Sequence, residues 1–137
     1  MGEQTRRPVV AVMGAGEGAM AAAVRLAEDL GAELTRRGWA VLSGGRPAGV
    51  MAAVSRGARR MAGHVVIGVL PEAGGATADV DVALFTGLGQ ARNVINVLSA
   101  DMVVVCGGGG PGTASEAAHA LKAGKPLVLL AASEVWI

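Results

Sequence analysis

Tyrosine is missing from this chain, and the aromatic residues number three: Trp39, Phe85 and Trp136. Proteins that hold single-stranded nucleic acid stack its bases on aromatic side chains, so that class of function has little to work with here. An excess of either charge is missing too. Twelve Lys and Arg stand against eleven Asp and Glu, a formal net charge of +1. No attraction to nucleic acid or to an anionic membrane surface follows from that balance. With Cys106 as the only cysteine, an intrachain disulfide is excluded and a reducing, cytoplasmic compartment is expected. Charges or glycines interrupt every apolar run well before the ~18 residues a membrane span needs. The opening MGEQTRRPVV is too polar for a signal peptide. His64 and His119 are isolated, with no second ligand at useful spacing, so a metal site is not expected.

What is abundant is small and apolar. Hydrophobic residues make up 52% of 137 residues, and 22 are glycine. That length suits one domain with a real core. A parallel sheet covered on both faces accounts for the apolar content. Short β-branched runs occur at Val9–Met13, Trp39–Leu42, Val65–Leu70, Val80–Phe85, Met102–Cys106 and Leu127–Leu130. Helical patterns lie between them at Met20–Arg37, Ala48–Met61, Leu88–Ala100 and Thr113–Ala123. In the first helix Leu26, Leu30 and Leu34 form the expected apolar stripe. Arg56, Arg59 and Arg60 read as a solvated face of the second. The link over residues 71–79 lacks a helix and is expected to lie over the sheet edge or the site. Strand–helix alternation implies right-handed crossovers, hence a single α/β domain with a Rossmann-like, doubly wound parallel sheet. Residues 1–7 are expected to be disordered. A closing helix would be expected after Leu127–Leu130, and the short remainder suggests either a truncated chain or a sheet face covered by a partner.

Ligands of such sheets sit beyond the carboxyl ends of the strands, and four loops there are unusual. The sharpest is Cys106–Lys125, CGGGGPGTASEAAHALKAGK. Four consecutive glycines allow close approach of the backbone to a ligand, and the following helix turns free N–H groups and its positive dipole end toward them. Such a loop is an anion site, most often for phosphate. Gly14-Ala15-Gly16-Glu17-Gly18-Ala19 resembles a dinucleotide fingerprint. The acidic residue that would hold an NAD ribose at the end of the second strand is absent, because that position reads Ser43-Gly44-Gly45-Arg46, and NAD is rejected. No Gly-Lys-Ser/Thr occurs, which excludes a Walker loop. Gly14, Gly16, Ser43, Gly44 and Gly45 remain candidates for ligand contact. The fourth loop, Thr86–Asn93, puts Arg92 within the first turns of a helix, where a cation opposes the dipole and an anionic ligand or a nearby carboxylate would offset the cost.

These motifs, in this order, make the chain resemble the LOG ("Lonely Guy") family. GGGGPGTASE is similar to its PGGxGTxxE signature, SGGRPAGVM to its GGGxxGxM segment, and GHVVIGVLP to its third strand. TGLGQARN followed by NVLSAD is most similar to the branch that includes molybdenum cofactor carrier proteins. The resemblance spans Val9 to Leu130. It implies a Rossmann-like fold, a homo-oligomer (dimer or tetramer) and a small phosphorylated ligand such as a nucleoside monophosphate, phosphate or a molybdopterin-type cofactor, with no cofactor required. Catalytic members hydrolyse the N-glycosidic bond of nucleoside 5′-monophosphates. By motif position the active arginine falls on Arg92 and the active glutamate on Glu116, while Gly108, Gly109, Gly110, Gly112 and Thr113 fall in the phosphate loop. Gly108 stands where the signature has proline, Pro111 fills its variable position, and ARN replaces the ERK-like form of the cytokinin-activating enzymes.

The leading expectation is therefore phosphoribohydrolase chemistry, with a non-catalytic cofactor carrier as the alternative and a DNA-processing module disfavoured by charge. Plainer roles stand beside these. Thr113-Ala114-Ser115-Glu116 also spells a capping box. Arg92 can be read as a solvated helix residue, the glycines of Gly14–Gly18 as packing residues, and Cys106 as a small core residue.

Overall fold

Six short strands hydrogen-bond into one sheet, all parallel, in the computed structural model, which describes residues 6–76, 78–108 and 111–130. They are β1 (Val9–Gly14), β2 (Ala40–Ser43), β3 (Val66–Leu70), β4 (Val82–Phe85), β5 (Met102–Cys106) and β6 (Leu127–Leu130). The helices are α1 (Ala21–Arg36), α2 (Gly49–Arg59), α3 (Arg92–Ser99) and α4 (Pro111–Lys122). Strand order is β4-β3-β2-β1-β5-β6. The chain leaves β1 toward β2 on one side, and β5 returns on the other, so order reverses between β1 and β5. Gly14 pairs with Cys106 at that junction, which sets the ends of both strands level and opens a crevice beyond them. The fold is the single-domain, doubly wound, Rossmann-like sheet that the alternation implies.

Alternate residues of each strand feed two cores. Val10, Val12, Val41, Val66, Val104 and Cys106 pack beneath α1 and α2. Ala11, Met13, Leu42, Val69, Val103 and Val105 pack beneath α3 and α4. Of the expected leucines of α1, Leu34 is buried in the core, whereas Leu26 is half-buried and Leu30 packs on the rim; the rest of the inward stripe is made by small residues, Ala23, Ala27 and Gly31. Close helix approach explains those small residues. A Cβ added at Gly31 would stand 2.2 Å from the Val54 carbonyl oxygen, and one at Gly57 would stand 1.9 Å from that of Glu28. Small residues on both helices bring the two backbones into contact.

Several other expectations change. The helix expected over Leu88–Ala100 divides into a 3₁₀ turn, Gly89–Ala91, and α3. Arg56, Arg59 and Arg60 are exposed, as expected, yet each has a partner: Arg56 and Arg60 pair with Glu28, and Arg59 pairs with Asp81. Arg6 and Arg7, expected to be disordered, hold defined contacts. Arg6 donates both Nη atoms to Asp101, at 2.8 and 2.6 Å, and Arg7 donates to the Gly63 carbonyl at 2.9 Å. The Arg6 hydrogen bonds, then the Val9 N–H, hold the Asp101 carboxyl well below the usual carboxylate range. The link after β3 runs beside the β2–α2 loop, where Pro71, Glu72, Gly74 and Gly75 meet Arg46 and Pro47 around a hollow of about 230 Å³. Among the described residues no helix is long and apolar enough to cross a membrane.

Candidate functional site

Beyond the ends of β1, β2 and β5 lies a cleft of about 320 Å³. Gly14–Glu17 from the first loop, Gly44 and Arg46 from the second, and Met51 from α2 form one side. Gln90, Arg92 and Asn93 come from the start of α3, and Thr113 and Glu116 from the first turns of α4. Glycine shapes this cleft for a specific reason at Gly44. A Cβ there would lie 2.6 Å from Met51 Sδ and 2.7 Å from Arg92 Nη1, so the missing side chain is what admits the guanidinium. Gly14 serves packing: its Cβ would fall 2.6 Å from Val50 Cγ2 and 2.9 Å from the Cys106 carbonyl oxygen. The first loop is tied to α2 as well, through Val50 N–H donating to the Ala15 carbonyl at 3.0 Å.

Arg92 is 7% exposed, which overturns its reading as a solvated helix residue. Burial lowers the proton affinity of its guanidinium, the nearby Glu116 raises it, and Arg46 lowers it further. An arginine keeps its charge under all of these influences. Its buried Nε has no hydrogen-bond partner. One turn along α3, Asn96 is completely buried and donates Nδ2 to Glu116 Oε2 at 3.1 Å, while its own Oδ1 is also unpartnered. Burial pushes the Glu116 carboxyl up to about 7, against the opposing effects of the Asn96 hydrogen bond and the Arg92 charge. Near neutral pH, Glu116 is divided between its acid and its carboxylate. At the mouth, Arg46 pairs with Glu17 at 3.3 Å. Buried polar atoms without partners are uncommon in folded proteins, so this cluster has hydrogen-bonding capacity to spare for a ligand.

The capping-box reading of Thr113–Glu116 fails on register. Helix α4 begins at Pro111, so Thr113 is its third residue and not its cap, and Glu116 turns to Asn96. Proline at the first helical position fits, since its missing N–H would have had no partner.

Of the residues singled out in the sequence, Gly14, Gly16, Gly44, Arg92, Thr113 and Glu116 line the cleft. Ser43 and Gly45 do not. Ser43 is fully buried and its Oγ accepts the Gly45 N–H at 3.0 Å, while Gly45, at φ +72°, lies against Gly68. Gly108 faces a neighbouring hollow of about 400 Å³ beside Gly18–Met20. Gly112 belongs to the first turn of α4, and Gly109 and Gly110 lie outside the described residues. Sequence reasoning missed Arg46, Asn96 and Glu17. Arg46 was visible as an arginine where the similar family segment has its third glycine. Asn96 lies one helical turn after Arg92, on the same face, and that spacing was its only signal. Among the described residues no group of three His, Cys, Asp or Glu is placed to hold a metal ion.

The sheet order and the crevice at its reversal place the chain among Rossmann-like domains that receive ligands at the switch point. Within that class the chain belongs to the SLOG cluster4 family, whose model matches residues 7–137. The resemblance to the LOG superfamily and its molybdenum cofactor carrier branch is thereby upheld. The chain is similar to the molybdenum cofactor binding protein of the phototrophic bacterium Rippkaea orientalis, at 44% identity over 97% of this chain and 81% of that one, with a TM-score of 0.91. It is similar to the molybdenum cofactor carrier protein of Chlamydomonas reinhardtii, at 43% identity over 96% and 81% of the two chains, with a TM-score of 0.89. An uncharacterized protein of Archaeoglobus fulgidus is 38% identical over 122 residues, 88% of this chain and 78% of that one.

Proposed function

We propose that this chain binds molybdenum cofactor as cargo, through its phosphate, and carries it without cleaving it. The observation that carries the reading is Arg92: a buried guanidinium with an unpartnered Nε, facing a cleft that glycine keeps open. A buried cation without a full set of partners favours an anion strongly. The first turns of α4 add their dipole and the Thr113 hydroxyl on the same side. Glu116 fits binding better than hydrolysis. A carboxyl held near 7 can present its protonated form to a phosphate oxygen and donate to it. Glycoside hydrolysis ordinarily uses two carboxyl groups flanking the bond. The other carboxyl lining this cleft, Glu17, sits at the exposed mouth in an ion pair with Arg46. The similarity to proteins named as molybdenum cofactor binding or carrier proteins supports this cargo and favours the carrier over phosphoribohydrolase chemistry.

The test has two arms. The purified chain is mixed with molybdenum cofactor released from a molybdoenzyme, and bound pterin is measured by the fluorescence of its oxidised form after ultrafiltration. The same preparation is incubated with a panel of nucleoside 5′-monophosphates and assayed for free base. Retained pterin without free base is the expected result. Free base with turnover restores the hydrolase reading, and the absence of both overturns the site.

A further inference from the structure

The mouth of the cleft holds a second guanidinium with no place in the reading so far. Arg46 follows Gly45, whose φ of +72° turns the chain, and precedes Pro47, whose ring fixes the next turn. Its side chain lines the same cleft as Arg92, and the two charges repel. Two cations brought into one cleft favour an anion between them, and among the described residues the mouth offers Arg46 one: Glu17, in a single contact at 3.3 Å. That pair is weak by its setting. The Glu17 side chain is 79% exposed and that of Arg46 is 46% exposed, where water and salt compete for both.

We propose that Arg46 is the second phosphate-recognition residue of this cleft, and that Glu17 is its stand-in partner, displaced when the ligand's anion arrives. The proposal rests on the carrier reading and adds to it the class of group the site selects. Arg92 alone matches a monoanion. Arg46 freed from Glu17 adds a second positive charge, which suits a phosphomonoester dianion over a carboxylate or a singly charged phosphodiester. A guanidinium binds phosphate through two parallel N–H donors, a stronger arrangement than its single exposed contact with Glu17, so the exchange runs toward the ligand. Glu17 then acts as a competitor built into the first loop. It lowers affinity for every anion and keeps Arg46 near the mouth until a dianion arrives.

The exchange makes an unusual prediction: removing a cleft residue strengthens binding. Four proteins are compared, wild type, Glu17→Gln, Arg46→Gln and the double variant. The probes are inorganic phosphate by calorimetry and molybdenum cofactor by retained pterin fluorescence, each with circular dichroism to check folding. Both side chains are exposed, so all four should fold. Glu17→Gln is expected to tighten binding by about two- to fivefold, the strength of an exposed ion pair. Arg46→Gln is expected to weaken it about tenfold or more. The double variant should match Arg46→Gln, because Glu17 then has nothing to withhold. If Glu17→Gln leaves binding unchanged or weakens it, the exchange is wrong. If it tightens binding equally in the Arg46→Gln background, Glu17 acts only through the general field and the exchange is again wrong. Should wild type bind neither probe, the carrier reading fails first and this inference falls with it.

Discussion

Glu116 is the residue on which the chemistry of the cleft turns. Its carboxyl titrates near 7 because burial removes the water that would stabilise the charge. The folded chain thus keeps a proton that the unfolded chain has released. The stability this group contributes is present in full below the ordinary carboxylate range and is lost as pH rises through about 7. Glu116→Gln keeps the shape and the acceptor for Asn96 but cannot ionise. Its stability relative to wild type should rise by roughly 1–3 kcal/mol between pH 4 and pH 8, read from urea unfolding at the two values. An identical difference at both pH values would show that Glu116 is not held near neutrality. Anion binding at pH 8 should be kept or strengthened, because a negative charge has left the cleft. Arg92 and Thr113 were legible in the sequence, since a glycine loop ahead of a helix and an arginine opening another each suggest an anion, whereas Glu116 was singled out by its motif position in the resembling family. The register of α4 was not legible. A proline can start a helix or precede it, and nothing in TASE says which. Asn96 and Glu17 were not legible either, because their roles depend on which loops meet in space.

At the scale of elements, glycine decides how the layers pack. Helices α1 and α2 touch through Gly31 and Gly57, where an added methyl would strike a backbone carbonyl. Ordinarily Ala is favoured over Gly inside a helix by about 1 kcal/mol. Here the overlap outweighs that gain, since a backbone atom cannot rotate aside as a side chain can. Gly31→Ala and Gly57→Ala should each destabilise the fold by about 1–3 kcal/mol. Gly74→Ala, whose methyl would meet nothing within 4 Å, should leave stability near wild type. Thermal unfolding of the three variants checks this; equal melting temperatures would mean that the helices can part at no cost. The strands were legible almost to the residue, because β-branched runs between glycines have few other readings. The inward face of α1 was legible at Leu34 but misread at Leu26 and Leu30, for a reason that follows from this packing. Hydropathy favours leucine at a buried position, whereas two helices in backbone contact require alanine and glycine there.

At the scale of the whole molecule, apolar side chains stand exposed among the described residues. Val82, Leu84 and Phe85 on edge strand β4 are about half exposed, as is Leu88 just beyond it. Val94, Leu98 and Leu121 stand out from α3 and α4. An edge strand with unpaired backbone groups and apolar side chains invites pairing. We propose that the chain is a homo-oligomer, and light scattering at micromolar concentration should return at least twice the 13.6 kDa chain mass. A monomer at that concentration would contradict this. The parallel, doubly wound sheet and a ligand crevice beyond its strand ends followed from strand–helix alternation; the strand order came from the structure. Which strand would form the edge was not legible, because the helix-free link between β3 and β4 allows several placements. We propose that the crevice holds an intact phosphorylated cofactor. A crystal structure of the wild-type chain grown with molybdenum cofactor tests it most directly. The phosphate is expected within hydrogen-bonding distance of Arg92 and the first turn of α4, with the cofactor uncleaved. A cofactor lodged elsewhere, as in the hollow between α3 and α4 lined by Val94, Leu98 and His119, or a cleft that stays closed to it, would contradict this.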